Sequence, residues 1–198
     1  MNIEFRPLSG SSLLLEPFAT SLKAEVRAAI DCDADTWAIM PVNPMGEGFE
    51  TYWNAACGAM PNERMVYAIR QRTSGRVIGM STYYTAMVGH GGVEIGTTFL
   101  HPDVRGGTAN TEAKLLMLGH AFDSGAVRVQ FRVDTRNVRS QAAVTKLGAV
   151  WEGVLRRNQI TWTGYIRDTV IFSILDYEWL PIKERLEQRL MEARAKQK

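Results

Sequence analysis

A strand-like run, Val93-Glu94-Ile95-Gly96-Thr97-Thr98-Phe99-Leu100, breaks at His101-Pro102-Asp103 and leads into Arg105-Gly106-Gly107-Thr108-Ala109-Asn110 at the start of a helical pattern. Small residues let main-chain N–H groups crowd around an anion, and the first turn of a helix adds unpaired N–H groups and positive dipole potential. The segment therefore suits a phosphate group. It is neither of the commoner Gly-rich phosphate motifs, because no Lys-Ser or Lys-Thr follows the glycines and there is no G-x-G-x-x-G spacing.

Two later stretches also carry patterned polar residues. Asp134-Thr135-Arg136-Asn137-Val138-Arg139-Ser140 runs on to Lys146-Leu147-Gly148-Ala149, and Trp151-Glu152-Gly153-Val154-Leu155-Arg156 is followed by Gly164 and Asp168. Asn137 and Ser140 are spaced to share one side of a first helical turn, where Asn is also a good N-cap. With the phosphate-type loop, these stretches resemble the GCN5-related N-acetyltransferases (GNAT), in particular the branch that acetylates ribosomal-protein N-termini. Arg105 and the Pro102-Asp103 turn match that family's Arg/Gln-x-x-Gly-x-Gly/Ala loop. Thr108 stands in place of its middle Gly and Asn110 in place of its Gly or Ala, with Gly106 and Gly107 supplying flexibility one step earlier.

The resemblance implies an α/β (α+β) GNAT fold: a mixed, mainly antiparallel sheet of about seven strands flanked by helices, with a splayed cleft for acetyl-CoA. It implies an acyltransferase that moves acetyl directly to a primary amine, without an acyl-enzyme. Arg105, Gly106, Gly107, Thr108, Ala109, Asn110 and Thr111 would hold the diphosphate, and Asn137 would line the pantetheine arm. Main-chain groups of Thr98, Phe99 and Leu100 would pair with the pantetheine like a missing strand, and an N–H there would steady the oxyanion.

Many family members protonate the departing thiolate with a Tyr where Val144 stands here, which leaves Ser140 as the donor. The amine must be neutral to attack, so a carboxylate should take its proton. Glu152 and Glu94 are the candidates: Glu152 has the better family match, and Glu94 lies on the strand leading to the cofactor. Each can equally be a strand carboxylate paired with an arginine, and Asp168 either a paired carboxylate or a contact to the substrate amine. The implied acceptor is a protein or peptide N-terminus, with a small amine (polyamine, amino acid, antibiotic) as the alternative. Because of Thr108, Asn110 and Val144, a non-catalytic acyl-CoA-binding sensor is the competing class.

The elements that must position these residues follow from periodicity. Leu13 to Glu16 reads as a strand closed by Pro17, and Leu22, Val26, Ala29 and Ile30 give a helix over 20–32 capped by Thr20 or Ser21. Residues 37–49, with Pro41 and Pro44, read as a loop before a helix over about 50–59. Trp37, Met40, Phe49, Tyr52 and Trp53 form either a packing cluster or the wall of a substrate cleft. Met65 to Gln71 and Val77 to Thr85 form a hairpin, and His90-Gly91-Gly92 turns into the 93–100 strand. On that strand Val93, Ile95, Thr97 and Phe99 are expected to share one face.

A helix over 113–122 ends at Gly125, a strand covers 127–133, and a helix over 134–147 ends at Gly148. Strands over 150–162 and 165–175 meet across Thr163-Gly164. Pro181 marks a helix start in which Ile182, Leu186 and Leu190 line up, folded on the body or on a partner, with polar residues past Glu192 expected to fray.

At 198 residues and 45% hydrophobic content, the chain reads as one domain (1–198, core about 13–177, C-terminal helix about 179–194) able to bury a full core. Its 23 basic and 21 acidic residues are interspersed, so no basic stripe argues for nucleic acid. Cys32, Cys57 and three histidines make no metal-ligand spacing, and the two cysteines read as small apolar residues of a reducing compartment. No secretory start or membrane-spanning run is seen, so the cytoplasm is the expected location, with no metal and a monomer or homodimer.

Overall fold

The computed structural model describes residues 1–85 and 87–196. In chain order the elements are β1 (Leu8–Ser9), β2 (Leu13–Pro17), α1 (Lys23–Ile30), α2 (Ala34–Ala38), α3 (Gly48–Cys57), β3 (Arg64–Gln71) and β4 (Val77–Tyr84). There follow β5 (Gly92–Leu100), α4 (Ala109–Asp123), β6 (Arg128–Asp134), α5 (Val138–Leu147), β7 (Val150–Ile160), β8 (Ile166–Leu175) and α6 (Asp176–Ala195).

One eight-stranded sheet runs β1-β2-β3-β4-β5-β6-β8-β7. The strand beyond the expected seven is the two-residue β1. Every pairing is antiparallel except β5 with β6. That parallel contact covers only Gly92–Glu94 against Arg128–Gln130, after which the strands part.

Period-two alternation gives each face its own core. Met65, Tyr67 and Ile69 of β3 join Ala113, Met117 and Leu118 of α4, Leu147 of α5 and Ile182 and Leu186 of α6 on one side. Val66 and Ala68 join Val26, Ile30, Trp37, Phe49 and Trp53 on the other. The early aromatic cluster is thus mostly core, and Trp37 stacks on Phe99 with ring centroids 4.7 Å apart.

β5 departs from the expected alternation. Ser81 stands opposite both Thr97 and Thr98, because Met80 pairs with Phe99 while Thr82 pairs with Gly96. Thr97 has φ +42°, an uncommon conformation for a β-branched residue, and the extra residue reverses the faces beyond it. Val93, Ile95 and Leu100 therefore pack with α4, whereas Phe99 packs under Trp37.

Several boundaries also differ from expectation. The stretch read as loop contains α2, capped by the Asp33 side chain on the Thr36 N–H. Neither Thr20 nor Ser21 caps α1, which continues from a single 3-10 turn. α5 begins at Val138 because Asp134 still pairs with Thr169 as the end of β6. α6 begins at Asp176, where Glu178 accepts from the Leu175 N–H, so Pro181 lies inside the helix. α6 folds on the body and continues past Glu192 to Ala195; Gln197 and Lys198, at the end expected to fray, lie outside the described residues. Cys32 and Cys57 are exposed. Among the described residues, no helix is long and apolar enough to cross a membrane.

Candidate active site

Where β5 and β6 part, the sheet opens into a cleft of about 560 Å³. Its walls are β5 from Glu94 to Thr98 with Leu100, β6 from Phe131 to Asp134, the phosphate-type loop with α4, and α5. The segment following α2, Ile39–Val42, lines it from the opposite face of the sheet.

The loop is built from its backbone. Gly106 has φ +78°, and a Cβ there would meet nothing within 4 Å, so glycine is required by conformation rather than space. Beyond it α4 starts without a side-chain cap. Among the described residues, no acceptor is assigned to the N–H groups of residues 106–111, which leaves a run of donors at a helix start.

Arg105 turns inward. Its Nε donates to the Leu100 carbonyl at 2.8 Å and its Nη1 to Asp33 Oδ2 at 2.5 Å, and its guanidinium lies 5.1 Å from the Phe99 ring centre. Its Nη2 is buried without a protein acceptor. The Asp33 carboxyl is held down at about 2 by its hydrogen bonds from Thr36 and Arg105, against the opposing effect of burial.

Across the cleft, Asn137 caps α5 by accepting from the Ser140 N–H at 2.9 Å, and Asn137, Ser140, Ala143, Val144 and Leu147 form one wall. The facing side chain is Lys114, which is 4% exposed. Its Nζ donates to Ser81 Oγ at 3.0 Å and Thr98 Oγ1 at 2.5 Å, and burial lowers its pKa to about 7. Burial without a countercharge favours the neutral amine.

The opposite end is charged. Arg64 pairs across the sheet with Tyr84, Tyr84 with Glu94, and Glu94 with Gln130, so four adjacent strands present one row on one face. The Glu94 carboxylate lies 3.9 Å from Arg132 Nε, and its pKa is raised because burial outweighs the nearby Arg132. Arg167, 4% exposed, donates through Nη2 to the Arg132 carbonyl at 3.3 Å, while its Nε has no hydrogen-bond acceptor. Asp134 is gripped by Arg136, at 3.0 Å and 2.8 Å. At the β7–β8 turn, Trp162 Nε1 donates to the Trp37 carbonyl at 3.0 Å, which ties that turn to α2.

Of the residues singled out from sequence, Glu94, Thr98, Leu100, Arg105, Gly106, Asn110, Asn137 and Ser140 line the cleft. Gly107 and Thr108 belong to the loop without lining the cleft, Ala109 packs toward the core, and Thr111 is buried on α4. The Phe99 side chain is buried in the core instead.

Glu152 is not brought to the cleft. Arg128 grips it at 2.6 Å and 2.5 Å and Ser173 Oγ donates to it at 2.7 Å, so its pKa is lowered to about 2. Neither it nor Arg128 lines the cleft, and a carboxylate held this acidic is a poor proton acceptor at neutral pH. Asp168 accepts from the Arg157 N–H at 2.6 Å and lies outside the cleft. Sequence reading missed Lys114, although its spacing from Met117, Leu118 and Ala121 puts it on the buried stripe of α4. It also missed Arg64, Tyr84, Arg132 and Arg167, which only strand register brings together.

Residues 12–150 match the family model described as Acetyltransferase (GNAT) domain. Among solved structures, a T. thermophilus protein designated an acetyltransferase is 36% identical, with 96% of this chain and 100% of that chain covered and a TM-score of 0.84. A GCN5-related N-acetyltransferase from Brucella melitensis is 27% identical over 93% of this chain and 85% of that one, with a TM-score of 0.82. Mycobacterium smegmatis RimJ, solved with CoA-disulfide, shares the fold at 22% identity over 92% of each chain, with a TM-score of 0.71. No curated protein sequence matches the chain.

Proposed function

This chain belongs to the GNAT acetyltransferase family, and on that premise we propose that Glu94 is the base for direct acetyl transfer from acetyl-CoA to a primary amine. The observation that carries the assignment is the position of Glu94: the last rung of the parallel contact, inside the cleft, with its affinity for a proton raised by burial. A carboxyl titrating nearer neutrality is a better match to an ammonium proton than an ordinary one.

The fit to acetyl-CoA rests on the unpaired amides of residues 106–111 for the diphosphate and on the parted edge of β5 for the pantetheine. The buried Arg105 Nη2 is one more donor lacking an acceptor, so Arg105 shapes the loop with two donors and offers a third. Asn137 and Ser140 line the pantetheine side. Glu94 takes the proton from the ammonium, and a main-chain N–H at the Thr97–Thr98 bulge steadies the oxyanion. The thiolate leaves toward Lys114 and Ser140. Of these, Lys114 is the proposed donor, because an ammonium titrating near 7 gives up a proton far more readily than a serine hydroxyl. Cys32 and Cys57 lie outside the cleft lining, in keeping with transfer that forms no acyl-enzyme.

For the acceptor, a protein or peptide N-terminus is the reading carried from the sequence. A small amine is the alternative, favoured by one observation: the Trp162–Trp37 hydrogen bond fastens the β7–β8 turn to α2, whose Thr36 lines the cleft, and a turn held there leaves less room for a long chain. The test is thiol release from acetyl-CoA across a panel of amines and short peptides. The expected outcome is amine-dependent release that falls by roughly 10²- to 10⁴-fold in Glu94→Gln while acetyl-CoA affinity holds. Unchanged turnover of that variant between pH 6 and 9 would overturn the assignment.

A further inference from the structure

The cleft carries more positive charge at its acceptor end than a free amine should meet. Arg132 from β6 and Arg167 from β8 act on Glu94, Arg64 from β3 stands one strand beyond it past Tyr84, and all three line the cleft. The charges that answer them are two. Glu94 approaches Arg132 only to 3.9 Å, and Asp134, committed to Arg136 by two hydrogen bonds, approaches Arg167 Nε only to 3.9 Å. Among the described residues no carboxylate lies within salt-bridge reach of Arg64. Arg167 is 4% exposed, and its Nε is a buried donor with no acceptor.

Burying a guanidinium with an unused donor is costly unless something completes it. Proteins rarely leave such a donor orphaned, and when they do in a cleft, a ligand acceptor is the natural partner. An ammonium alone would be repelled by three guanidiniums before reaching Glu94. A carboxylate or phosphate on the same acceptor reverses that balance, giving the arginines charge-assisted hydrogen bonds and leaving Glu94 to face the amine.

Building on Glu94 as the base, we infer that the acceptor is a primary amine that carries its own anion, a carboxylate or phosphate, seated among Arg64, Arg132 and Arg167. Polyamines and polycationic antibiotics are thereby disfavoured. The anion can belong to a small molecule, such as an amino acid or an aminoalkyl phosphate, or to an acidic residue beside a peptide N-terminus. The recognition chemistry is the same in both cases.

The experiment compares kcat/KM for matched amines: propylamine, β-alanine, aminoethyl phosphate and putrescine, and the dipeptide amides Ala-Gln, Ala-Glu and Ala-Lys. The anionic members are expected to exceed their neutral partners by roughly ten- to hundredfold, chiefly through KM, and the cationic ones to be poorest. The small-molecule and peptide arms tell which source the site takes. Arg64→Gln should shrink the anionic-to-neutral ratio, and inorganic phosphate should compete with the amine in wild type more strongly than in the variant. Equal rates for matched pairs, or a ratio that survives Arg64→Gln, would overturn this inference and leave acetyl transfer standing. Absence of thiol release with every amine and peptide in the panel would overturn both.

Discussion

Two glutamates were candidates in sequence, Glu152 with the better family match, and their surroundings shift them in opposite directions. Glu152 loses its proton easily because Arg128 and Ser173 hold the charged form, whereas burial disfavours the charged form of Glu94. Glu152→Gln should therefore leave turnover near wild type and lower stability by about 1 kcal/mol, measured by urea unfolding at pH 7. Because the folded-state pKa is depressed, this contribution is present above the ordinary value of 4.5 and fades as the pH falls toward about 2. Lys114 has the reverse sign. Its folded pKa lies near 7 and its unfolded value near 10.5, so the unfolded chain holds the extra proton between them and stability rises with pH across that window. Lys114→Met should be more stable than wild type by on the order of 5 kcal/mol below pH 7, with the gain vanishing above about pH 10.5, and slower in thiol release. Ser81 and Thr98 would keep their mutual 2.8 Å hydrogen bond, so the gap stays satisfied. A loss of stability would show that Lys114 is held for the fold. That Asn137 and Ser140 line the cleft was legible because their spacing announces a helix start, and Glu94 because it lies on the strand that leads to the phosphate-type loop. Lys114 was not, because a lysine in a buried stripe reads as surface until the facing strand is known.

At the level of elements, the order of strands and helices was open to periodicity, and the failures lie where one residue changes the count. The bulge at Thr97 swaps the faces of β5, which strict alternation cannot foresee. The turn at Gly148 was readable as a helix stop, but not its second burden. Gly148 has φ +106°, and a Cβ there would run into Arg185 and Ile182 of α6. Arg185 also donates to the Leu147 carbonyl at 3.0 Å, so the end of α5 and the flank of α6 close on each other. Gly148→Ala should consequently destabilise the protein by more than about 1 kcal/mol, seen as a lower denaturation midpoint with the cleft chemistry unchanged at permissive temperature. A midpoint equal to wild type would show that α6 can give way.

For the whole molecule, the family fold was legible because three short motifs sit at the right separations along nearly the full chain, while the charge pattern at the Glu94 end of the cleft was hidden. Arg64, Glu94, Arg132 and Arg167 are remote in sequence and come to line one cleft only through the register of β3, β4, β5, β6 and β8. The brief parallel contact has a mechanical meaning as well. With only Gly92–Glu94 against Arg128–Gln130 joining them, the two halves of the sheet resemble the covers of a book fastened near one end of the spine. What binds the covers is α6: Trp179 stacks on Phe122 of α4 at 5.3 Å, Arg194 reaches Ser11, and Arg185 holds the end of α5. The last twenty-residue helix is thus the binding of the volume, supplying from outside the cohesion that the central strands give up so that the pages can open.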